Sequence, residues 1–255
     1  LEPLRRLVAW LERAGVERIC LVDNASTYAP LLEWYDQSPH LVVRLEENLG
    51  HLAPWRSNVI NTHALGEAYV VTDPDVVPDR ACPLDALDHF GRLLDSFPDV
   101  VKVGFGLRID NLPRRYRLRR AVQAWESQFW VNPVRPGVYR APIDTTFALY
   151  REHTPAAMEP ALRTGWPYVA RHLPWYADSK HPTDEDSYYA LHARQDVTSW
   201  QGESLPAWLA SWLRGDDPAG QQVELRSTKL ASRSREQVLA RRGRRLSRRS
   251  HRHGP

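Results

Sequence analysis

Two carboxylates, Asp73 and Asp75, leave the end of a hydrophobic run in Tyr69-Val70-Val71-Thr72-Asp73-Pro74-Asp75. Two acids at that spacing can share one divalent cation and still leave room for water and phosphate oxygens. Mg2+ and Mn2+ are commonly held in this way beside phosphorylated substrates. The same triplet also makes an ordinary exposed turn, so its surroundings must decide. A second acidic run, Thr183-Asp184-Glu185-Asp186, offers Glu185 or Asp184 as a proton acceptor. It equally suits a helix start, with Thr183 as the cap and three acids at the positive end of the dipole. His192 lies on the same helix face as Glu185, where an imidazole can join a metal site or simply pack.

The elements that must position these groups can be read from periodicity. Leu4, Leu7, Val8 and Leu11, with Pro3 before them and Gly15 after, predict an amphipathic helix. Short apolar runs at 18–22, 40–45, 68–72 and 99–109 predict strands, and the stretches 30–37, 52–65 and 83–96 predict helices between them. Strand and helix alternating through residues 1–110 argue for βαβ units, hence an α/β fold with a mostly parallel sheet flanked by helices. The second half is less regular: strands are expected at 138–141 and 145–150, and helices at 114–129 and 183–193. In an open parallel sheet the loops after Val22, Leu45 and Thr72 should line one crevice at the strand ends.

The order of these loops resembles the GT-A nucleotide-diphospho-sugar glycosyltransferases, glycosyltransferase family 2 in particular. Asp23-Asn24-Ala25-Ser26, Asn48-Leu49-Gly50, Asn58 and Asp73-Pro74-Asp75 follow one another as that family's donor-site motifs do. The resemblance covers residues 1–110 and thins beyond them. It implies that Asp23 meets the nucleotide base, with Asn24, Asn48, Gly50 and Arg56 around the donor. It also implies that Asp73 meets the ribose or metal, and that Asp75, with His192, holds Mn2+ or Mg2+ at the diphosphate. Glu185 or Asp184 would then deprotonate the acceptor hydroxyl. The donor would be a nucleotide-sugar, with a UDP-sugar favoured, and the acceptor a glycan, a lipid-linked molecule or a small molecule. Transfer would invert the anomeric centre. The family's first strand would precede Leu1, so a segment ahead of it is expected. Residues 1–110 would form the donor half and 111–225 the acceptor half.

Aromatic side chains can stack on sugar rings, which makes Trp125-Glu126 and Trp175-Tyr176 candidate acceptor contacts, and Asp144 a candidate for a sugar hydroxyl. Tryptophans are also core residues, because each buries so much area.

Charge is unevenly spread. The chain of 255 residues carries a net +3, yet residues 226–255 hold ten Arg and Lys229 against Glu236 alone, which leaves residues 1–225 at about −7. The Arg-rich tail on an acidic body is either a solvated, solubilising end or a contact for a polyanion, and for the second an anionic membrane surface is preferred to specific nucleic acid. Cys20 and Cys82 form neither a metal motif nor a disulfide framework, and no apolar run reaches a membrane span; a cytoplasmic protein, peripheral at the inner membrane face, is expected.

Two other readings remain. A haloacid-dehalogenase-type phosphatase also carries Asp-x-Asp after a strand, and Gly215-Asp216-Asp217 imitates its late acidic motif, but only Lys102, Lys180 and Lys229 could supply its lysine. A carbohydrate-binding protein without catalysis would keep the aromatics and need no metal.

Overall fold

The computed structural model describes residues 1–64, 66–192, 200 and 206–214. The tail at 226–255 and the Gly215-Asp216-Asp217 motif lie outside them. Helix α1 (Glu2–Arg13) buries Leu7, Val8, Trp10 and Leu11 on one face. Strand β1 (Cys20–Asp23), helix α2 (Ala29–Asp36) and strand β2 (Leu41–Arg44) follow, and β1 and β2 pair in parallel as a βαβ unit. The expected helix at 52–65 is broken into α3 (Ala53–Arg56) and α4 (Val59–His63). Asn58 stands between them in the left-handed region, φ 63°, a conformation asparagine tolerates better than most residues.

Strand β3 (Tyr69–Val71) leads through the Asp73–Asp75 turn to β4 (Val76–Pro78), helix α5 (Ala86–Ser96) and strand β5 (Lys102–Leu107). Helix α6 (Arg119–Ser127) starts five residues later than the sequence suggested. Strands β6 (Pro133–Arg135), β7 (Val138–Arg140), β8 (Ala148–Tyr150) and β9 (Ala161–His172) come next, then α7 (Asp184–His192) and α8 (Ala207–Arg214).

The expectation of a mostly parallel sheet is corrected here. The large sheet runs β3-β8-β5-β9-β7-β6, with β4 also on β9, and among the described residues only β5 and β9 pair in parallel within it. Strand β8 lies antiparallel between β3 and β5, and β9 is antiparallel to β4 and β7. The fold is therefore α/β with a mixed, open sheet. Strand β9 is long because it serves three neighbours, and its pairing with β5 skips from Thr164 to Val169. That bulge puts Trp166 out in solvent.

The core lies between the large sheet and helices α1 and α5. Trp10, Phe90, Phe105 and Phe147 pack edge to face there, with Phe105–Phe147 centroids 4.8 Å apart. Such contacts add to what burial alone contributes. Gly106 in β5 is required by close approach, since a Cβ there would stand 2.6 Å from the Thr164 carbonyl oxygen and 2.7 Å from the Trp130 ring.

β1 and β3 are both sheet edges. Arg18, two residues before β1, contacts Glu67, two residues before β3, so both strands start from the same end. Their carboxyl ends carry Asp23 and Asp73, and one cavity is lined by both strands and by α1. The two sheets thus face each other edge to edge across a slot with apolar walls that include Leu7, Leu11, Leu21 and Val70.

Candidate functional site

The cavity has a volume of 2900 Å3 and is lined by Asp23, Asn24, Asn48, Gly50, Arg56, Asp73, Asp75, Asp184, Glu185 and His192. The structure therefore brings together in one space the residues expected at the donor, the metal and the base; of the other candidates Trp125, Asp144 and Tyr176 also line it, whereas Asn58, Glu126 and Trp175 do not. Their chemistry differs from one to the next.

Asp23 ends β1 and is 2% exposed. Its Oδ2 accepts from the Ser26 backbone N–H at 3.2 Å and faces Arg44 Nε at 3.9 Å, while Oδ1 is buried without a hydrogen-bond partner. A buried acceptor left unmet costs about 1 to 3 kcal/mol, so Asp23 presents a standing demand for an N–H or O–H donor. Tyr35 stands beside it: burial, then the charge of this carboxylate and a hydrogen bond to it, push the phenol well above its usual range, so the unmet acceptor is Oδ1 alone.

Asn24 and Asn48 shape loops. Asn24 Nδ2 donates to Asn48 Oδ1 at 2.8 Å and to the Gly50 carbonyl at 3.1 Å, and Asn24 Oδ1 accepts from Leu49 N–H at 2.7 Å. Asn48 Oδ1 also accepts from Gly50 N–H, and Gly50 adopts φ 75°, the left-handed turn that glycine permits. Arg56 donates to the Leu49 carbonyl at 2.7 Å. The resemblance would aim these groups at a ligand; in the structure they clasp the loop after β2 onto the loop after β1.

The Asp pair gains its neighbours from the antiparallel strands. Because Val71 of β3 sits opposite Ala148 of β8, the residues just before β8 arrive at the carboxyl end of β3. Thr145 Oγ1 accordingly donates to Asp73 Oδ2 at 3.1 Å. Desolvation, then the charges of Asp75 and Asp144, push the Asp73 carboxyl up to about 8. Three acids crowd one spot and cannot all ionise cheaply.

Asp75 is served by β9 in the same way. Val76 pairs with His172, and the Leu173 N–H donates to the Asp75 carbonyl at 2.9 Å. His172 Nε2 lies 3.6 Å from Asp75 Oδ2, and Asp75 Oδ1 and His172 Nδ1 are both buried without partners. Burial lowers the pKa of the imidazole, partly offset by Asp75, so it is neutral at pH 7. Its ring packs on Trp175 at 4.7 Å.

His192, expected at this metal site, is engaged elsewhere. Its Nδ1 meets the Tyr188 carbonyl at 2.8 Å and its ring stacks on Tyr188 at 3.9 Å, so the histidine beside the Asp pair is His172. No sequence signal marked His172, because β9 was not foreseen.

In α7 the acids divide their roles. Asp186 Oδ2 accepts from the Thr183 backbone N–H and hydroxyl, while Thr183 Oγ1 accepts from Asp186 N–H: a reciprocal helix cap. Glu185 pairs with the Leu1 amino group, and Asp184 is exposed on the cavity wall.

Among the described residues no group of three or more His, Cys, Asp or Glu side chains is arranged to hold a metal ion. One or two protein carboxylates nonetheless commonly hold Mg2+ beside phosphates, with phosphate oxygens and waters completing its shell. The unpartnered Asp75 Oδ1, the neutral His172 and the repulsion at Asp73 all fit a cation. No family model, curated protein or solved structure matches the chain. The reading of the site therefore stands on its geometry.

Two residues proposed as acceptor contacts have other work. Glu126 is buried in a 2.9 Å ion pair with Arg163, and the Tyr176 hydroxyl donates to Asn111 Oδ1 at 2.6 Å, close also to the Arg108 carbonyl. Trp175 is buried, whereas Trp125 lines the cavity. Lys102, a lysine inside an apolar strand, is 1% exposed. It donates to the Asp144 carbonyl at 3.1 Å and to Tyr150 Oη at 3.0 Å, fixing the loop that carries Asp144 and Thr145. Burial lowers its pKa to about 7.

Proposed function

We propose that this protein transfers a glycosyl group from a nucleotide-diphosphate sugar to an acceptor hydroxyl. One observation carries the reading. A buried, unpartnered acceptor at Asp23 and the crowded carboxylates Asp73, Asp75 and Asp144 line one cavity, at the carboxyl ends of two strands that start together. The first suits a nucleobase N–H. The second suits a divalent cation with the diphosphate.

In this reading Asp75 and His172 hold Mn2+ or Mg2+, and the cation supplies neutralisation of charge on the leaving diphosphate. Asp184 or Glu185 takes the proton from the acceptor hydroxyl. The acceptor oxygen forms its bond to the anomeric carbon as the bond from that carbon to the diphosphate oxygen breaks, with the electron pair leaving on the diphosphate. A single displacement inverts the centre.

The test is a thermal-shift panel of nucleoside diphosphates with and without Mn2+, on wild type and Asp75→Ala. A ligand at 100 times its Kd adds about 2.7 kcal/mol, which a melt resolves. One nucleotide should stabilise wild type only when metal is present, and Asp75→Ala should not respond. Metal-independent sugar transfer by Asp75→Ala would overturn the reading.

A further inference from the structure

Residues 113–120 read Pro-Arg-Arg-Tyr-Arg-Leu-Arg-Arg, five arginines within a body that is otherwise acidic. The structure sorts them by side. Tyr116 and Leu118 are buried as anchors, and Arg114, Arg115, Arg117 and Arg120 are exposed. The backbone of this strip is pinned: Arg117 N–H donates to Ser179 Oγ at 3.0 Å, and Tyr116 Oη donates to the Trp200 carbonyl at 3.0 Å. The arginines are thus displayed on a fixed surface.

Several arginines elsewhere in the fold are ion-paired. Arg108 and Arg171 share Asp79, Arg140 pairs with Asp99, and Arg163 pairs with Glu126. Arg114, Arg119 and Arg120 have no carboxylate within ion-pair distance among the described residues. Arg119 and Arg120 also open helix α6, whose first turn contains no acid. Cations at that end of a helix are unfavourable, so the cluster stands against local stability.

Beside it lies a shallow hollow of 340 Å3 between α6 and α8, lined by Arg117, Leu118, Arg120, Ala121 and Leu213. Leu213 is 41% exposed, an apolar side chain set among guanidinium groups. We propose that this face of α6 and α8 docks on an anionic phospholipid surface, with the arginines on headgroup phosphates and Leu213 at the headgroup boundary. Guanidinium forks suit phosphate oxygens, and the neighbouring leucine suits lipid better than a sugar-phosphate backbone. Arg115 borders the main cavity and donates to the Tyr176 carbonyl at 3.3 Å, so docking would set the cavity mouth near the bilayer. These residues are distinct in sequence from the Arg-rich tail, and the docking does not depend on the transfer reaction.

The test uses the full chain and sedimentation with phosphatidylcholine vesicles, with and without phosphatidylserine. Wild type should bind only the anionic vesicles. Each basic residue near such a surface contributes about 1 kcal/mol, so Arg114→Gln/Arg119→Gln/Arg120→Gln should weaken binding roughly a hundredfold. The charge-matched control Arg5→Gln/Arg13→Gln/Arg80→Gln should bind nearly as wild type does, and Leu213→Asp should also weaken binding. Unchanged melting curves establish that each variant is folded. The proposal is overturned if wild type ignores anionic vesicles, or if the patch variant and the control lose affinity equally. It is also overturned if a single-stranded RNA binds more tightly than vesicles, through the same arginines and without regard to Leu213.

Discussion

Asp75 and His172 lie 97 positions apart in the chain and meet at 3.6 Å, because β4 and β9 pair antiparallel with Val76 opposite His172. Each contributes one buried atom without a partner. Mn2+ should stabilise wild type, and His172→Gln should weaken Mn2+ binding at least tenfold, read by calorimetric titration. Wild-type affinity in His172→Gln would remove the histidine from the site.

Repulsion among the acids predicts a second effect of opposite sign. In the absence of metal, Asp75→Asn removes one of the charges that press on Asp73. The variant should melt higher than wild type in EDTA and lower in Mn2+, as expected where a site is strained for a ligand. If Asp75→Asn melts lower in both buffers, the carboxylates are not in conflict.

The pH dependence follows from Asp73. Its folded pKa, about 8, lies above its unfolded value of 3.8. Across that window the native state keeps a proton that the unfolded state has lost, so this group's contribution to stability falls as pH rises. In EDTA the melting temperature should carry such a fall between about pH 4 and pH 8, and Asp73→Asn should flatten it. A cation held at Asp75 and His172, close to Asp73, would favour the ionised form of that carboxyl, so its stabilising effect should grow with pH over the same range. A pH-independent Mn2+ shift would contradict this.

The buried ion pair of Arg163 and Glu126, each side chain 6% exposed, holds β9 to α6. The Arg163 fork also donates to the Pro142 carbonyl at 2.8 Å, and its guanidinium lies 4.1 Å from the Phe129 ring centre. Arg163→Met should cost about 3 to 5 kcal/mol, because it strands a buried carboxylate. Arg163→Met/Glu126→Leu should recover part of that loss in denaturant unfolding. Additive losses would mean that the two side chains act independently.

Facing edges predict a pattern of hydrogen exchange. Strand β5 is paired on both sides, while β1 and β3 each leave one edge to the slot. Amides of β1 and β3 that point into the slot should exchange far faster than those of Val103 and Phe105. Equal protection would show that the slot is closed in solution.

The sequence by itself determined the local order of elements in the first half and the loops that carry Asp23, Asn48 and Asp73. Those signals are short in range: apolar period, caps, and polar turns after strands. The cap by Thr183 was equally legible; that Asp186 returns the bond, and so is not free for chemistry, came from the structure. Only the tertiary structure decided strand direction. An antiparallel β8 and a long β9 look no different in sequence from parallel strands, since side chains alternate in either direction. That choice of direction brought Thr145 and Asp144 to Asp73 and His172 to Asp75, while the expected His192 turned back onto Tyr188. Pairing between distant segments depends on register and on which edges remain open, and neither is encoded at the residues that meet.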